Sequence, residues 1–436
     1  MSQARHPVRL ILSDDLQRTR ITVLFRLILS IPHFIWITLW GIATVLLAVL
    51  NWLCTLVTGR SPRWLHRVLA AYVKYGTHFH AYLHLAAEPY PRFDGAAGYP
   101  VDVELPEPAR QNRLTVLFRG VLLLPALLIV QVLVGYSVSF ASGRPSSYFT
   151  SNLFSSAFGL LGLLAVLGWF AVLAVGRMPR GLRDAAAYAL CYGAQVWAYA
   201  FVLTDRYPDS DPLAAVPDLP AREDPLHLRL VHDEVEGEGL RRSRLTVFFR
   251  LLLTLPHLIW LELWGIVAFV CAILNWFATL FVGRSPAWLH RFLGAYLRYA
   301  NHVYAYLYLI ANPFPGFTGK RESYPFEIVI AARASQNRWK TGFRIILAIP
   351  ALLITGVLGS LVNFIAILGW FSSLARGRMP RGLRNAGAYA LRVQAQTQGY
   401  LLLLTDAYPY LGPVRPVHDE GQREVPAAAT FDVGLR

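Results

Sequence analysis

The sequence predicts an all-α, polytopic integral membrane protein of four repeated units, each a transmembrane helical hairpin plus an amphipathic helix, with short β-strands forming a small cytoplasmic sheet. Three observations predict it. An arginine followed six residues later by proline, inside apolar text, occurs at Arg26/Pro32, Arg119/Pro125, Arg250/Pro256 and Arg344/Pro350, and repetition this regular means one structural unit used four times. Apolar residues make up 55% of the 436 residues and gather in uncharged stretches such as Ile42 to Val57 and Ile266 to Val282, which suits a membrane rather than ordinary solubility. The formal charge of +15 comes from Lys and Arg flanking those stretches. No nucleic-acid module accompanies the charge, so anionic head groups are the natural acidic partner and nucleic acid is not expected.

The units are residues 1–94, 95–212, 213–318 and 319–412, followed by a polar tail at 413–436. Units one and three align without a gap from Arg26/Arg250 to Tyr82/Tyr306, whereas units two and four carry Ala126 and Ala351 where the odd units have His33 and His257. A unit doubled into a pair, and the pair doubled again, leaves this pattern. The Pro-, Asp- and Glu-rich link from Asp205 to Glu238 separates the halves.

Strand-like text opened by proline precedes each unit, at Pro7 to Leu12, Pro100 to Leu105, Pro225 to Leu230 and Pro325 to Ile330. Three of the four alternate polar and apolar residues, as half-buried strands do. The apolar stretch from Ile21 to Thr58 is too long for one straight span of a hydrocarbon core about 30 Å thick. In the second unit polar, turn-forming residues near 135–158 enter at the place of Gly41 and Ile42, and such a loop cannot sit exposed in hydrocarbon. With Gly41, Gly265 and Gly359 marking that place elsewhere, each stretch is expected to turn there as a hairpin. Both charged ends then share one side, cytoplasmic by the positive-inside rule, as are both termini in a multi-pass protein of the cell inner membrane. Pro32, Pro125, Pro256 and Pro350 are expected to kink the first arm.

A Gly-Arg-x-Pro element ends each apolar stretch, at Gly59, Gly176, Gly283 and Gly377. The basic residues in and after it, Arg60, Arg63, Arg67, Arg177, Arg180, Arg284, Arg378 and Arg381, are the candidates for holding lipid head groups. The third segment then repeats polar residues at i, i+4 and i+8: Lys74, His78, Tyr82; Cys191, Gln195, Tyr199; Arg298, His302, Tyr306; Arg392, Gln396, Tyr400. One reading of this stripe is an amphipathic helix in the interface, with its cations toward head groups; the other is a third span lining a polar cavity. Strand parity favours the first, because three spans per unit would alternate the strands between compartments.

Nucleotide loops, nucleophile elbows and zinc motifs are absent, so neither enzymatic chemistry nor a cofactor is expected. His78, His80 and His84 are the best metal candidates, but unit three has Tyr304 and Tyr308 in place of the last two, and no metal is expected. His33 and His257 are read as neutral side chains bonded to backbone freed by the prolines. Cys54, Cys191 and Cys271 lie in apolar text and read as packing residues.

Several of these elements occur together in a known family. Tyr99-Pro100-Val101, Ile31-Pro32-His33, Gly59-Arg60-Ser61-Pro62 and Thr204-Asp205-Arg206-Tyr207-Pro208 resemble the uncharacterised bacterial membrane family catalogued as domain of unknown function 4389, over nearly the whole chain. The resemblance implies a membrane location and carries no activity, ligand or functional residue with it. The functional expectation is a non-enzymatic membrane scaffold or binding protein with a basic cytoplasmic face for anionic lipid or a protein partner. The competing expectation is a transporter or channel for a small solute, formed by parallel repeats around a polar cavity.

Overall fold

The computed structural model describes residues 6–135, 159–216, 226–230 and 240–414. Unit one comprises β1 (Arg9–Leu12), α1 (Arg20–Leu24), α2 (Arg26–Thr58) and α3 (Arg63–Leu83). Unit two holds β2 (Val101–Glu104), α4 (Arg113–Leu117), α5 (Arg119–Val134), α6 (Gly159–Val175) and α7 (Arg180–Ala200), with the short α8 (Pro212–Ala215) after it. Unit three is β3 (Leu226–Leu230), α9 (Arg244–Phe248), α10 (Arg250–Val282) and α11 (Ala287–Leu307). Unit four is β4 (Phe326–Ile330), α12 (Arg338–Gly342), α13 (Arg344–Arg376) and α14 (Arg381–Leu401). The long helices are here called rods and the 21-residue returning helices inner helices.

The expected hairpin turn does not form. Helices α2, α10 and α13 each run 33 residues through Gly41, Gly265 and Gly359, which makes rods about 50 Å long. Two of those glycines admit a neighbour rather than a turn: the Tyr72 hydroxyl lies 3.0 Å from where a Cβ on Gly41 would sit, and the Tyr296 hydroxyl 3.3 Å from one on Gly265. In unit two the halves α5 and α6 have 16 and 17 residues, matching the other rods, and both rest along α7. A side chain on Gly159 would run into the backbone of Gly135, so the chain leaves the rod at its midpoint and re-enters where it left. The insertion itself (136–158, including Arg144), the link residues 217–225 and 231–239 and the tail from 415 lie outside the described residues. Helical structure continues past all four prolines; only Ser30, just before Pro32, interrupts it, and its hydroxyl donates to the Arg26 carbonyl at 2.8 Å. Each rod ends at a left-handed glycine, Gly59, Gly176, Gly283 or Gly377, with φ between 67° and 77°, the conformation that glycine adopts without steric cost.

The strands form two sheets instead of one. β1 pairs antiparallel with β2, and β3 with β4, so each sheet joins the two units of one half. Tyr72, Tyr75 and Phe79 face the rod from one side of α3, while His66 and His78 face the strand segment from the other. Rods, inner helices and sheets are therefore three successive layers. The layers match across the halves: rod α13 rests on α5 and α6, and inner helices α7 and α14 meet through Tyr188 and Tyr389, with ring centroids 5.9 Å apart. Asn385 donates to Asp211 at 2.7 Å, and the Tyr410 hydroxyl to Asp184 at 2.9 Å, within the same joint.

Apolar exposure is segregated by layer. Large apolar side chains stand exposed along every rod and its preceding short helix, as at Ile28, Ile42, Val57, Leu251, Ile266, Val282, Ile345 and Phe371, whereas the inner helices expose only Trp64 and Trp288. Soluble monomers rarely carry apolar patches beyond a few hundred Å², and three of the rods are long and apolar enough to cross a membrane.

Spin labels at the exposed positions Ile28 and Val57 should report a separation of about 45 Å if the rod is continuous. A hairpin turning at Gly41 would bring them to within about 20 Å, and a distance in that range would contradict the fold described here.

Candidate functional site

One arginine fastens each rod to its inner helix. Arg26, Arg119, Arg250 and Arg344, all buried, stack on Tyr82, Tyr199, Tyr306 and Tyr400, with the guanidinium carbon 4.1 to 4.3 Å from the ring centroid. Their Nη1 atoms donate to the carbonyl of that tyrosine and to a second carbonyl just past the helix, for example Tyr82 at 2.8 Å and Ala87 at 3.2 Å. Nη2 meets Glu88 at 2.7 Å, Asp205 at 3.3 Å, the Asn312 amide oxygen at 3.3 Å or Asp406 at 2.8 Å. Arginine and tyrosine are separated by 56, 80, 56 and 56 residues, the longer spacing belonging to the unit with the insertion. That constant spacing was visible in the sequence and is the signal that could have paired them.

Beyond each inner helix sits a left-handed residue that is not glycine: Leu85, Val202, Leu309 and Leu403, with φ from 60° to 65°. Such a conformation costs an L-residue roughly 1–2 kcal/mol. A buried side chain from the start of the unit takes its carbonyl: Arg18 in unit one (3.0 and 3.1 Å), Gln111 in unit two (2.7 Å), Arg242 in unit three (3.1 Å) and Gln336 in unit four (2.6 Å). These contacts are structural. They hold charge and left-handed backbone inside the protein.

The polar stripe of the inner helices is internal, contrary to both sequence readings. His78 bonds Asp102 on β2 at 2.8 Å, and His302 bonds Glu327 on β4 at 3.1 Å. Gln195 and Gln396 donate to the carbonyls of Val8 and Leu226, and Arg392 donates to those of Tyr410 and Gly412. Arg298 donates to the Gly319 carbonyl at 3.1 Å and lies 4.0 Å from Glu327. The stripe is thus split: its histidines and glutamines face the strand segments, its tyrosines the rod arginines, and Arg298 and Arg392 loop carbonyls, while Lys74 lines a cavity. Recurrence of an acid in the strands before even units, Asp102 and Glu327, was the missed signal.

His33 and His257 are fully buried and share hydrogen bonds with the hydroxyls of Tyr75 (2.7 Å) and Tyr299 (2.8 Å), rather than with backbone freed by proline. Around His33 stand Tyr90 and Phe93, and around His257 stand Phe314 and Phe317. In the even units alanine, Ala126 or Ala351, replaces the histidine, and the hydroxyl of Tyr207 or Tyr408 lies near the backbone of that alanine. His80 and His84 stack with centroids 5.5 Å apart, and burial pushes them down to about 3 and about 4, so both are neutral near pH 7. Among the described residues no three His, Cys, Asp or Glu side chains are grouped as a metal site. Cys191 and Cys271 are buried and Cys54 half-buried.

All eight arginines singled out for head groups are exposed: Arg60, Arg63, Arg67, Arg177, Arg180, Arg284, Arg378 and Arg381. They form a rim in sequence: Arg60, Arg177, Arg284 and Arg378 directly follow the glycines that end the rods, and Arg63, Arg67, Arg180 and Arg381 lie in the first two turns of the inner helices. Arg20 and Arg244 add to this rim by donating to the last-turn carbonyls Ala174 and Ala375, both at 3.1 Å.

A family model described as "Domain of unknown function (DUF4389)" matches residues 20–94, 151–210, 244–318 and 338–411. The chain belongs to this family. Each match holds one arginine closure with its tyrosine, apart from the second, whose Arg119 lies before the matched residues. No curated protein and no solved structure matches the chain.

The odd and even histidine positions give a direct comparison. Replacing His257 by Ala should cost about 1 kcal/mol more than replacing His33 by Ala, the worth of one hydrogen bond, because Tyr90 offers a hydroxyl where Phe314 has none. Adding Phe314→Tyr to His257→Ala should recover the difference in thermal unfolding. Equal losses with no recovery would contradict this account of the pocket.

Proposed function

We propose that the protein is a non-enzymatic membrane scaffold whose rods lie in the plane of one leaflet, with its arginine rim on anionic head groups. The observation that carries this reading is the insertion at the midpoint of the second rod. Its polar residues must reach water, yet a rod crossing the bilayer holds its midpoint deepest. Lying along the interface lets the same point remain continuous and still be wet.

Length agrees. A rod of about 50 Å fits a core of about 30 Å only at a tilt near 50°, beyond the range of roughly 0–40° found for spanning helices. Polar groups also accompany the rod from end to end: Glu88 beside Arg26, Arg92 and Asp94 near Trp36, Arg67 near Trp40, and Arg60 at the last turn. In a spanning rod the middle two would sit in hydrocarbon, where an ionised side chain costs about 2.5–3.5 kcal/mol or more. In the interface they reach head groups, while the apolar flanks sink among acyl chains. Basic rims favour the anionic cytoplasmic leaflet, with inner helices, sheets and termini on the cytoplasmic side.

Purified protein should retain anionic phospholipid over neutral phospholipid. Replacing Arg60, Arg177, Arg284 and Arg378 together by Gln should weaken retention at low salt by at least about tenfold, given about 1 kcal/mol for each surface cation, and by less at high salt. Equal retention of neutral and anionic lipid by the unmodified protein would overturn the reading.

A further inference from the structure

We infer that unit one carries a single built site for an anionic glycerophospholipid, formed where a basic cavity meets an aromatic one on the flank of α3. This inference rests on the proposed seating and adds a specific site to it. The basic cavity, about 450 Å³, is lined by Arg63, Arg67 and Lys74, with His66 and the exposed carboxylate of Glu107 on its walls. The second, about 470 Å³, lies between Trp36, Trp40 and Phe93, with Asp94 at its edge. Arg67 and Ala71 belong to both, so the two volumes are one groove with a charged end and an aromatic end.

The charged end is unsatisfied in the way a phosphate site is. Arg63, Arg67 and Lys74 follow at i, i+4 and i+11, which places them on one face of the helix, and none forms an ion pair with a described residue. Asp94 is already engaged, 2.8 Å from Arg92, and His66 is fixed to the Pro106 carbonyl at 2.8 Å. At the other end Trp36 donates to the Phe93 carbonyl at 3.0 Å and Trp40 stacks on Tyr75. This wall is held rigid and is suited to the glycerol region and first methylenes of a chain, the level where tryptophan collects in membranes.

The other units do not repeat the site. Unit three has Ala287 in place of Arg63, and its Arg298, the counterpart of Lys74, is bound to the Gly319 carbonyl beside Glu327. In the even units Asp184 and Asn385 stand at the position of Arg67. The aromatic end lies beside Trp36 and Trp40 of the rod, whereas the charged end is lined by the first turns of α3 and by residues 105–108, so a lipid in the groove would place its head group off the rod and its glycerol region against the rod.

Native mass spectrometry of the purified full chain, titrated with phosphatidylglycerol or phosphatidylcholine, tests this. One phosphatidylglycerol should bind at least tenfold more tightly than any later one. The triple variant Arg63→Gln, Arg67→Gln, Lys74→Gln should lose that first lipid, and Arg67→Lys alone should keep it. The rim variant at Arg60, Arg177, Arg284 and Arg378 should keep the first lipid while losing the weaker ones. If the triple variant binds like the unmodified chain while the rim variant loses lipid, the groove is wrong and the proposed function stands. If the unmodified chain does not distinguish the two lipids, the proposed function itself fails. Free glycerol phosphate at millimolar concentration should not displace the bound lipid; displacement would reassign the groove to soluble phosphate esters.

Discussion

Burying a guanidinium costs several kcal/mol unless its charge and donors are matched, and this chain does so at the start of every rod. Stacking on a tyrosine face, the carbonyl of that tyrosine with one just past the inner helix, and an Asp, Glu or Asn oxygen match the charge and both terminal nitrogens, while Nε of each of the four arginines is buried without a hydrogen-bond acceptor among the described residues. Both carbonyl partners lie at the end of the inner helix, so the closure forms only when rod and inner helix lie side by side. Everything outward follows from that pairing. Each rod keeps one stripe against its inner helix, with α13 also packed on α5 and α6, the inner helix is left its opposite face for the strands, and the two units of each half share a sheet.

The repeat lets the chain serve as its own comparison. Where odd units place Asn51 or Asn275, bonded to Ser61 at 2.7 Å and Ser285 at 2.6 Å, even units have Gly168 and Gly369 facing the thioethers of Met178 and Met379. A polar pair and a glycine with a flexible sulfur fill the same gap. The swap of Arg18 for Gln111 follows the same logic: the carbonyl acceptor, Leu85 or Val202, is kept while the donor changes. Folding constraints were thus retained in all four units, whereas no other unit keeps all three cations of the unit-one groove: unit three has Ala287 for Arg63, and the even units have Asp184 and Asn385 for Arg67.

Repeat number, strand positions, the Gly-Arg-x-Pro stop and the exposure of its arginines were legible, because each depends on local chemistry that the text displays directly. The rods were misread at Gly41, Gly265 and Gly359. Glycine at the first two answers to the hydroxyls of Tyr72 and Tyr296 on a helix still to come, a tertiary cause that periodicity does not carry, while Gly359 faces only Gln394 at ordinary contact distance. The polar insertion, outside the described residues, was read as forcing a turn so that it could reach water, and turning the chain is only one way to reach it. The stripe misled for a related reason. His78 and His302 looked outward until the strands holding Asp102 and Glu327 were laid over them.

The central claim is that a continuous rod lies along the membrane surface instead of crossing it. Its most direct test is the depth of single fluorescent labels at Ile28, Ile42 and Val57, measured by quenchers placed at graded positions along the lipid chain. An in-plane rod predicts three depths equal to within a few Å. A label at Ile42 deeper by about 15 Å than those at the two ends, half the thickness of the hydrocarbon core, would contradict it.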